Sequence, residues 1–350
     1  METKYISSNG GRRMRKIVLL LACCLWMSLP MAGQAAQESS GSISMEFDLS
    51  AQGAGGETKL WIPYPMSDSD QTITNISING DFAESAVYSD NKYSTPMLYA
   101  RWDKGAKDRH LNFTFYAVRK EVVKKDFPAV EGAWNKAAFS LYLEPTRRGP
   151  IDGEVKKLAD KIVEGKITVQ AKAKAIYDWV CDNMFRDPKT NGCGAGDVCS
   201  LLLTPGGKCT DIHSVFVSLC RATGVPAREV FGIRQGKEDV VDISKWQHCW
   251  AEFYLPGYGW VPVDPADVRK MMLKHDLKLT DSKTQEYRDY FWGAWDAYRV
   301  KVAVGRDIIL TPEQQGDPLN TFGYPYAEVG GKVLDWLDPK TFKYTITYRK

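Results

Sequence analysis

From Ser42 onward apolar and polar residues alternate: Ile43, Met45, Phe47 and Leu49 are apolar and the positions between them are polar. That two-residue period is the mark of a strand with one buried face. KLWIPYP, TITNISI and HLNFTFYAV read the same way, the last with Leu111, Phe113, Phe115 and Ala117 on one side. Turn-rich pieces, SDSD and SDNKYSTP, separate them. Past Pro145-Thr146-Arg147-Arg148-Gly149-Pro150, read as a linker, the period lengthens. GEVKKLADKIVEGK and ITVQAKAKAIYDWVCDNMF predict two helices, the second capped by Thr168 and burying Ala175, Ile176, Trp179 and Val180. A Gly/Cys-rich loop follows, then IHSVFVSLCRA, whose Ile212, Val215, Phe216, Leu219 and Cys220 share a helix face. Gly224 and Pro226 stop that helix. REVFGI, KWQHCWAEFYL and WVPVDP are strands, the last two joined by the turn Pro256-Gly257-Tyr258-Gly259. Beyond them the pattern gives a helix around EYRDYFWGAWDAYRV, strands at DIIL and FKYTITYR, and a hairpin at Gly330-Gly331.

These elements divide the chain of 350 residues into an antiparallel β-rich region over 42–125, a helix-then-strand region over 145–270, and a mixed extension over 271–350 with strands that pack on the core. The fold class expected is α+β. At 44% hydrophobic and 25% charged the sequence buries a substantial core and is not of a disordered type.

The first 35 residues stand apart. Arg12, Arg13, Arg15 and Lys16 precede the apolar run IVLLLACCLWMSLPMA, and small residues follow. This order predicts a secretory signal cleaved near Ala35 and a periplasmic or secreted protein. The run is shorter than the roughly 20 residues a spanning helix needs, so no stable membrane span is expected after signal removal. The segment holds five basic side chains and one acidic, so its loss takes the formal charge from +3 to −1. The basicity belongs to the signal, and nothing in the charge pattern argues for nucleic acid.

Six cysteines remain after that cleavage: Cys181, Cys193, Cys199, Cys209, Cys220 and Cys249. All fall within residues 181–249, whereas a disulfide-stapled scaffold spreads its bridges throughout. Cys209 is the most suggestive. It follows two glycines in GGKCTD and opens a predicted helix, where unpaired backbone N–H groups favour a thiolate and can stabilise an oxyanion. A thiol nucleophile also needs a base and a group that orients the base. Of the four histidines, His110 lies in the β-rich region and His275 in a polar stretch. His213 follows Cys209 by four residues and reads as a helix-face histidine beside the pocket. His248 begins HCWAEFY in a strand interior, where a polar side chain is costly unless paired. Asp264 ends the adjoining strand and can hold its imidazole. Each alone has an ordinary reading, as small core residue, bonded core histidine and turn aspartate. Their combination points to a Cys209–His248–Asp264 triad. A weaker reading makes Cys209, His213 and His248 a thiolate metal site.

The blocks G-x-C-x-D with LCRATGVPAREVFGI, then HCWAEFYLPGYGWVPVDP, resemble the transglutaminase-like superfamily of papain-type thiol enzymes, over about residues 150–270. Asp211, Arg221, Gly224, Pro226, Arg228, Trp250, Glu252 and Trp260 match beside the triad. Cys249 departs from the pattern, standing where a small residue is common. The β-rich part resembles the N-terminal domains of exported bacterial members. The resemblance implies a papain/transglutaminase-like core with an N-terminal antiparallel β-domain. It implies thioacyl chemistry on a protein or peptide substrate, by hydrolysis or transamidation, with no cofactor and no metal. A non-catalytic binding or scaffold protein of the same fold is the alternative. Strand alternation sends Cys249 away from the His248 side, and Trp250 and Trp260 are expected to wall the cleft.

Overall fold

The computed structural model describes residues 37–53, 55–337 and 341–350; the expected signal and its cleavage site lie outside them. Among the described residues no helix is long and apolar enough to cross a membrane.

Six strands open the chain: β1 (Glu38–Asp48), β2 (Thr58–Pro63), β3 (Gln71–Gly80), β4 (Glu84–Tyr88), β5 (Met97–Trp102) and β6 (His110–Lys120). β1 and β6 are the alternating segments of the sequence, pairing antiparallel with Ile43 opposite Phe115 and Met45 opposite Phe113. Their apolar positions are buried and the polar ones between them are not. β5 escapes the period-two reading because it is buried on both faces through Met97, Leu98, Tyr99 and Ala100.

These strands form two five-stranded sheets, and the end of the chain completes both. The strand Tyr344–Arg349 pairs with β1 and, on its other side, with Val240–Asp242. The strand Tyr326–Val329 pairs with β2 and turns at Gly330-Gly331 into Lys332–Val333. Both of those glycines have positive φ, as the predicted hairpin requires. DIIL is not a strand; Ile308 makes only an isolated bridge to Leu319. Pro145 to Pro150 is a closed turn bridged between Thr146 and Gly149.

A third, four-stranded antiparallel sheet carries the site, in the order Gly259–Val263, Gln247–Leu255, Ala227–Arg234, Arg299–Val304. Six helices accompany it: α1 (Gly153–Ile162), α2 (Val169–Asn183), α3 (Val198–Leu203), α4 (Cys209–Ala222), α5 (Pro265–Lys274) and α6 (Ser282–Phe291). Thr168 caps α2 through its hydroxyl, which accepts from Ala171 N–H at 3.1 Å. The buried stripe of α2 is Ala173, Ile176, Tyr177 and Val180, so Ala175 and Trp179 sit on its shoulder rather than in the core. Helix α4 is buried along its whole length between the sheet and α1, α2, α3 and α5. Gly224, at φ +78°, ends it, and Val225 N–H returns to Cys220 C=O at 2.9 Å. The helix predicted over EYRDYFWGAWDAYRV ends at Phe291, and its last residues instead begin the strand Arg299–Val304. Mixed helices with antiparallel sheets make the fold α+β.

Candidate active site

Cys209 is the first residue of α4. The turn before it is shaped around Asp211, whose carboxylate accepts from Lys208 N–H at 3.0 Å and Gly196 N–H at 2.8 Å. A Cβ on Gly194 or Gly207 would overlap that carboxylate, so both glycines are required by close approach. Burial raises the Asp211 pKa even though the two amides oppose it. The Gly-rich loop is thereby clamped on the first turn of α4, and Thr210 N–H donates to Cys193 C=O at 2.9 Å.

His248 lies in the strand Gln247–Leu255, and Asp264 follows the neighbouring strand Gly259–Val263. His248 Nε2 is 2.8 Å from Asp264 Oδ2. Asp264 also caps α5, accepting from Asp267 N–H at 2.7 Å, and its Oδ1 lies 3.2 Å from His213 Nε2. Arg299, fully buried, donates to Asp264 and, at 2.8 Å, to Asp267. Burial alone would raise the Asp264 carboxyl; the charges of Arg299 and His248 outweigh it and hold the group well below the usual carboxylate range. An ionised carboxylate only accepts, so both histidines present Nε2–H to it. His248 Nδ1 is then left for Cys209, and it carries the proton when the two form a thiolate–imidazolium pair, whose charge lowers the Cys209 pKa.

Around Asp264 the charges alternate. Arg234 pairs with Asp267 and Asp296, and Arg299 with Asp264, Asp267 and Asp296. Three carboxylates against two guanidiniums leave one negative charge beside His248. His248, Asp264 and Asp267 offer metal-ligand atoms within 4.8 Å of one another, yet Arg299 already donates to both carboxylates, so a cation there would face a guanidinium. Both nitrogens of His213 are committed, to Asp264 and to Cys249, which does not fit the metal reading with Cys209.

The thiol end differs in chemistry. Cys209 is 3% exposed, and the side chains that act on its thiol are those of Cys193, Cys249 and His248. Bonds from Cys193 and Cys249, then the bond and charge of His248, lower the Cys209 pKa well below the ordinary thiol value against the effect of burial. Cys193 and Cys249 are pushed well up, the first chiefly by its bond with Cys209, the second chiefly by burial. The three thiols are thus driven apart, Cys209 down and its two neighbours up. Cys249 faces α4, its Sγ 3.4 Å from His213 Nδ1 and 3.6 Å from Thr210 Oγ1, while His248 stands beside Trp250 on the strand. All six cysteines described are free thiols.

The structure thus brings Cys209, His248 and Asp264 together in one buried line, while His110 and His275 lie exposed elsewhere. Trp250 does not wall the cleft; it is fully buried against Trp295. Trp260 packs under Arg228, whose guanidinium lies 4.0 Å from its ring and pairs with Glu252. Two site residues escape sequence reasoning. Arg299 was hidden in a stretch read as helix, and His213 was read as a bystander although it grips Asp264.

The sequence pattern of the Transglutaminase-like superfamily matches residues 156–265. An uncharacterised protein of Haemophilus influenzae is 40% identical over 329 residues, covering 85% of this chain and 88% of that one. A protein-glutamine gamma-glutamyltransferase of Pseudomonas aeruginosa is 25% identical over 174 residues, 45% of this chain and 26% of that protein. Among solved structures, a Cytophaga hutchinsonii protein suggested to be a cysteine protease shares the fold with a TM-score of 0.51 at 19% identity, over 90% of this chain and all of that one. Three ordered sequence blocks, one buried site and a full-length relative agree, and the chain belongs to the transglutaminase-like superfamily.

Proposed function

We propose that this protein is an exported cysteine acyl-transfer enzyme acting on protein or peptide amides through Cys209, His248 and Asp264. The single observation that carries the reading is a buried thiol on the first residue of a helix, in one site with a histidine whose Nε2 is held at 2.8 Å by a buried carboxylate. His248 Nδ1 holds the Cys209 proton, the thiolate attacks the amide carbonyl carbon, and the backbone N–H of Cys209 receives the developing oxyanion. The intermediate collapses as His248 gives its proton to the departing amine, leaving a thioester on Cys209. Water or a second amine then attacks the thioester, His248 takes the proton, and the thiolate leaves. Asp264 keeps His248 in one tautomer throughout, and the negative balance of the surrounding carboxylates and guanidiniums favours the transient imidazolium.

A cleft of about 570 Å³ passes Gly194 and Ala195, next to Cys193, with Leu319, Trp336 and Leu337 on its apolar wall and Arg147 and Arg148 at its edge. We assign it to the substrate chain. The test is alkylation by iodoacetamide at graded pH, read by intact mass, in wild type, Cys209→Ala and His248→Ala. The reading expects one fast site at pH well below the reference thiol pKa of about 8.5, lost in Cys209→Ala and slowed in His248→Ala. A Cys209 that resists alkylation until above that pH would replace the enzyme reading with a scaffold of the same fold.

A further inference from the structure

Three sulfurs meet at this site, and the acyl-transfer reaction uses one. Resting on the proposed role of Cys209, we propose that Cys193 is its resolving thiol: a peroxide oxidises Cys209, and Cys193 then closes a reversible Cys193–Cys209 disulfide that caps the nucleophile. The geometry selects Cys193 over Cys249. Cys193 sits between Gly192 and Gly194, both at positive φ, in a loop whose backbone is pinned to the start of α4 by the Thr210 N–H to Cys193 C=O bond. That bond sets Cys193 beside the residue that follows Cys209, and its sulfur lies 3.4 Å from the carbonyl of Gln247, the residue before His248. Cys249 instead sits in a strand paired on both sides, its sulfur held by His213 and Thr210. Exposure points the same way, at 8% for Cys193 against 1% for Cys249.

The chemistry balances without any further component. The Cys209 thiolate attacks one peroxide oxygen, forming a sulfenic acid and releasing hydroxide. Cys193 sulfur then attacks the sulfenyl sulfur, the S–S bond forms, and the hydroxyl departs as water with the Cys193 proton. Two thiols lose two electrons and the peroxide becomes two waters. A dithiol reverses the step through a mixed disulfide. The division of labour follows the charge: Cys209 carries it and meets the oxidant, while Cys193 stays protonated until it is needed. Tyr324 O–H, 3.1 Å from Cys193 Sγ, is placed to stabilise the charge that develops there.

The test treats the purified, reduced protein with at least three equivalents of hydrogen peroxide, alkylates the remaining thiols with iodoacetamide and maps the bonds without reduction. In wild type the mass is expected to fall by two hydrogens, with the bond found between Cys193 and Cys209; dithiothreitol restores alkylation of Cys209. Cys193→Ser is expected to gain two or three oxygens on Cys209 and to stay unrecovered, and Cys249→Ser is expected to form the bond as wild type does. A Cys209–Cys249 bond, or full recovery in Cys193→Ser, overturns the proposal. The bond map of wild type decides the matter even if a variant misfolds. Alkylation before peroxide separates the two failures: an inert Cys209 sinks the acyl-transfer reading, whereas a reactive Cys209 that forms no bond to Cys193 sinks only this inference.

Discussion

Asp264 receives its partners from fixed elements: an amide of α5, an imidazole of α4, another from a central strand and a guanidinium from the strand beyond, with the His248 contact at 2.8 Å. Cys209, at the other end of the same line, is acted on by two sulfurs and one imidazole, and the contacts made by those two sulfurs, of Cys193 and Cys249, run at 3.1 to 3.6 Å. One end is a saturated charge cluster in which every donor is anchored; the other is polarizable, weakly bonded and closed by a glycine loop. A carboxylate that orients a base must not move, while a nucleophile must be freed from its resting partners to reach a carbonyl. The difference teaches that orientation and reactivity are placed in separate parts of this site and can be broken separately.

The largest effect is expected from Asp264→Asn, which keeps the shape and removes the charge. Arg299 is then left buried with less to balance it, a situation that costs about 3–5 kcal/mol. The amide also turns a donor or a neutral oxygen toward His248, so its tautomer is no longer fixed, and acyl transfer is expected to fall on the order of 10³–10⁴-fold. Urea unfolding and the alkylation rate of Cys209 read the two losses independently. Unchanged stability would mean that the carboxylate end is not the rigid anchor described here.

His213→Gln is expected to be milder. It removes one of four contacts to Asp264 and one contact to Cys249, a loss of about 1–2 kcal/mol in stability. As a positioning residue it is expected to shift the pH profile of Cys209 alkylation, because it touches both the orienting carboxylate and one of the sulfurs beside the thiol. A drop in stability with an unmoved profile would reduce His213 to packing.

The two ends also predict different pH limits. Asp264 and Asp267 titrate below the usual carboxylate range when folded, so their contribution is present above the unfolded value of about 3.9 and is lost as pH falls through the folded values. Cys193 and Cys249 titrate above the ordinary thiol, so their contribution is complete below about 8.5 and is lost as pH rises through the folded values. Unfolding free energy measured across pH should decline on both sides. Cys193→Ser is expected to soften the alkaline side and Asp264→Asn the acid side; an alkaline limit unmoved by Cys193→Ser, or an acid limit unmoved by Asp264→Asn, would contradict the assignment.

Much of this was legible in the sequence, for identifiable reasons. β1 and β6 show one buried face and so alternate visibly, and α4 announces itself by its apolar face and its glycine stop. Cys209, His248 and Asp264 could be read because each stands at the edge of a recognisable element, a helix start, a strand interior and a strand end. β5 could not, since burial on both faces erases the period. Arg299 was missed because a fully buried cation looks like any surface cation until its three carboxylates, brought together from α5 and from the loop before its strand, are known. The contacts of Cys249 were not legible, because alternation fixes the side of a strand but not the reach of α4, whose Thr210 and His213 meet its sulfur.

The smallest effect tests whether the thiol end owes its behaviour to position. Cys199 lies only six residues past Cys193 but is exposed on α3, where the Asp197 side chain caps the helix by accepting from Ser200 N–H at 3.0 Å. Neither Cys209 nor the charge cluster of Asp264 counts it among its contacts. Cys199→Ser is therefore expected to leave stability within about 0.5 kcal/mol of wild type, the usual range for a surface change. It should also leave the rate and pH profile of Cys209 alkylation where they were, and the Cys193–Cys209 bond should still form. If Cys199→Ser altered the profile, the reactivity of Cys209 would depend on the loop as a whole rather than on the two sulfurs and the imidazole that touch it, and the separation between the two ends of the site would have to be redrawn.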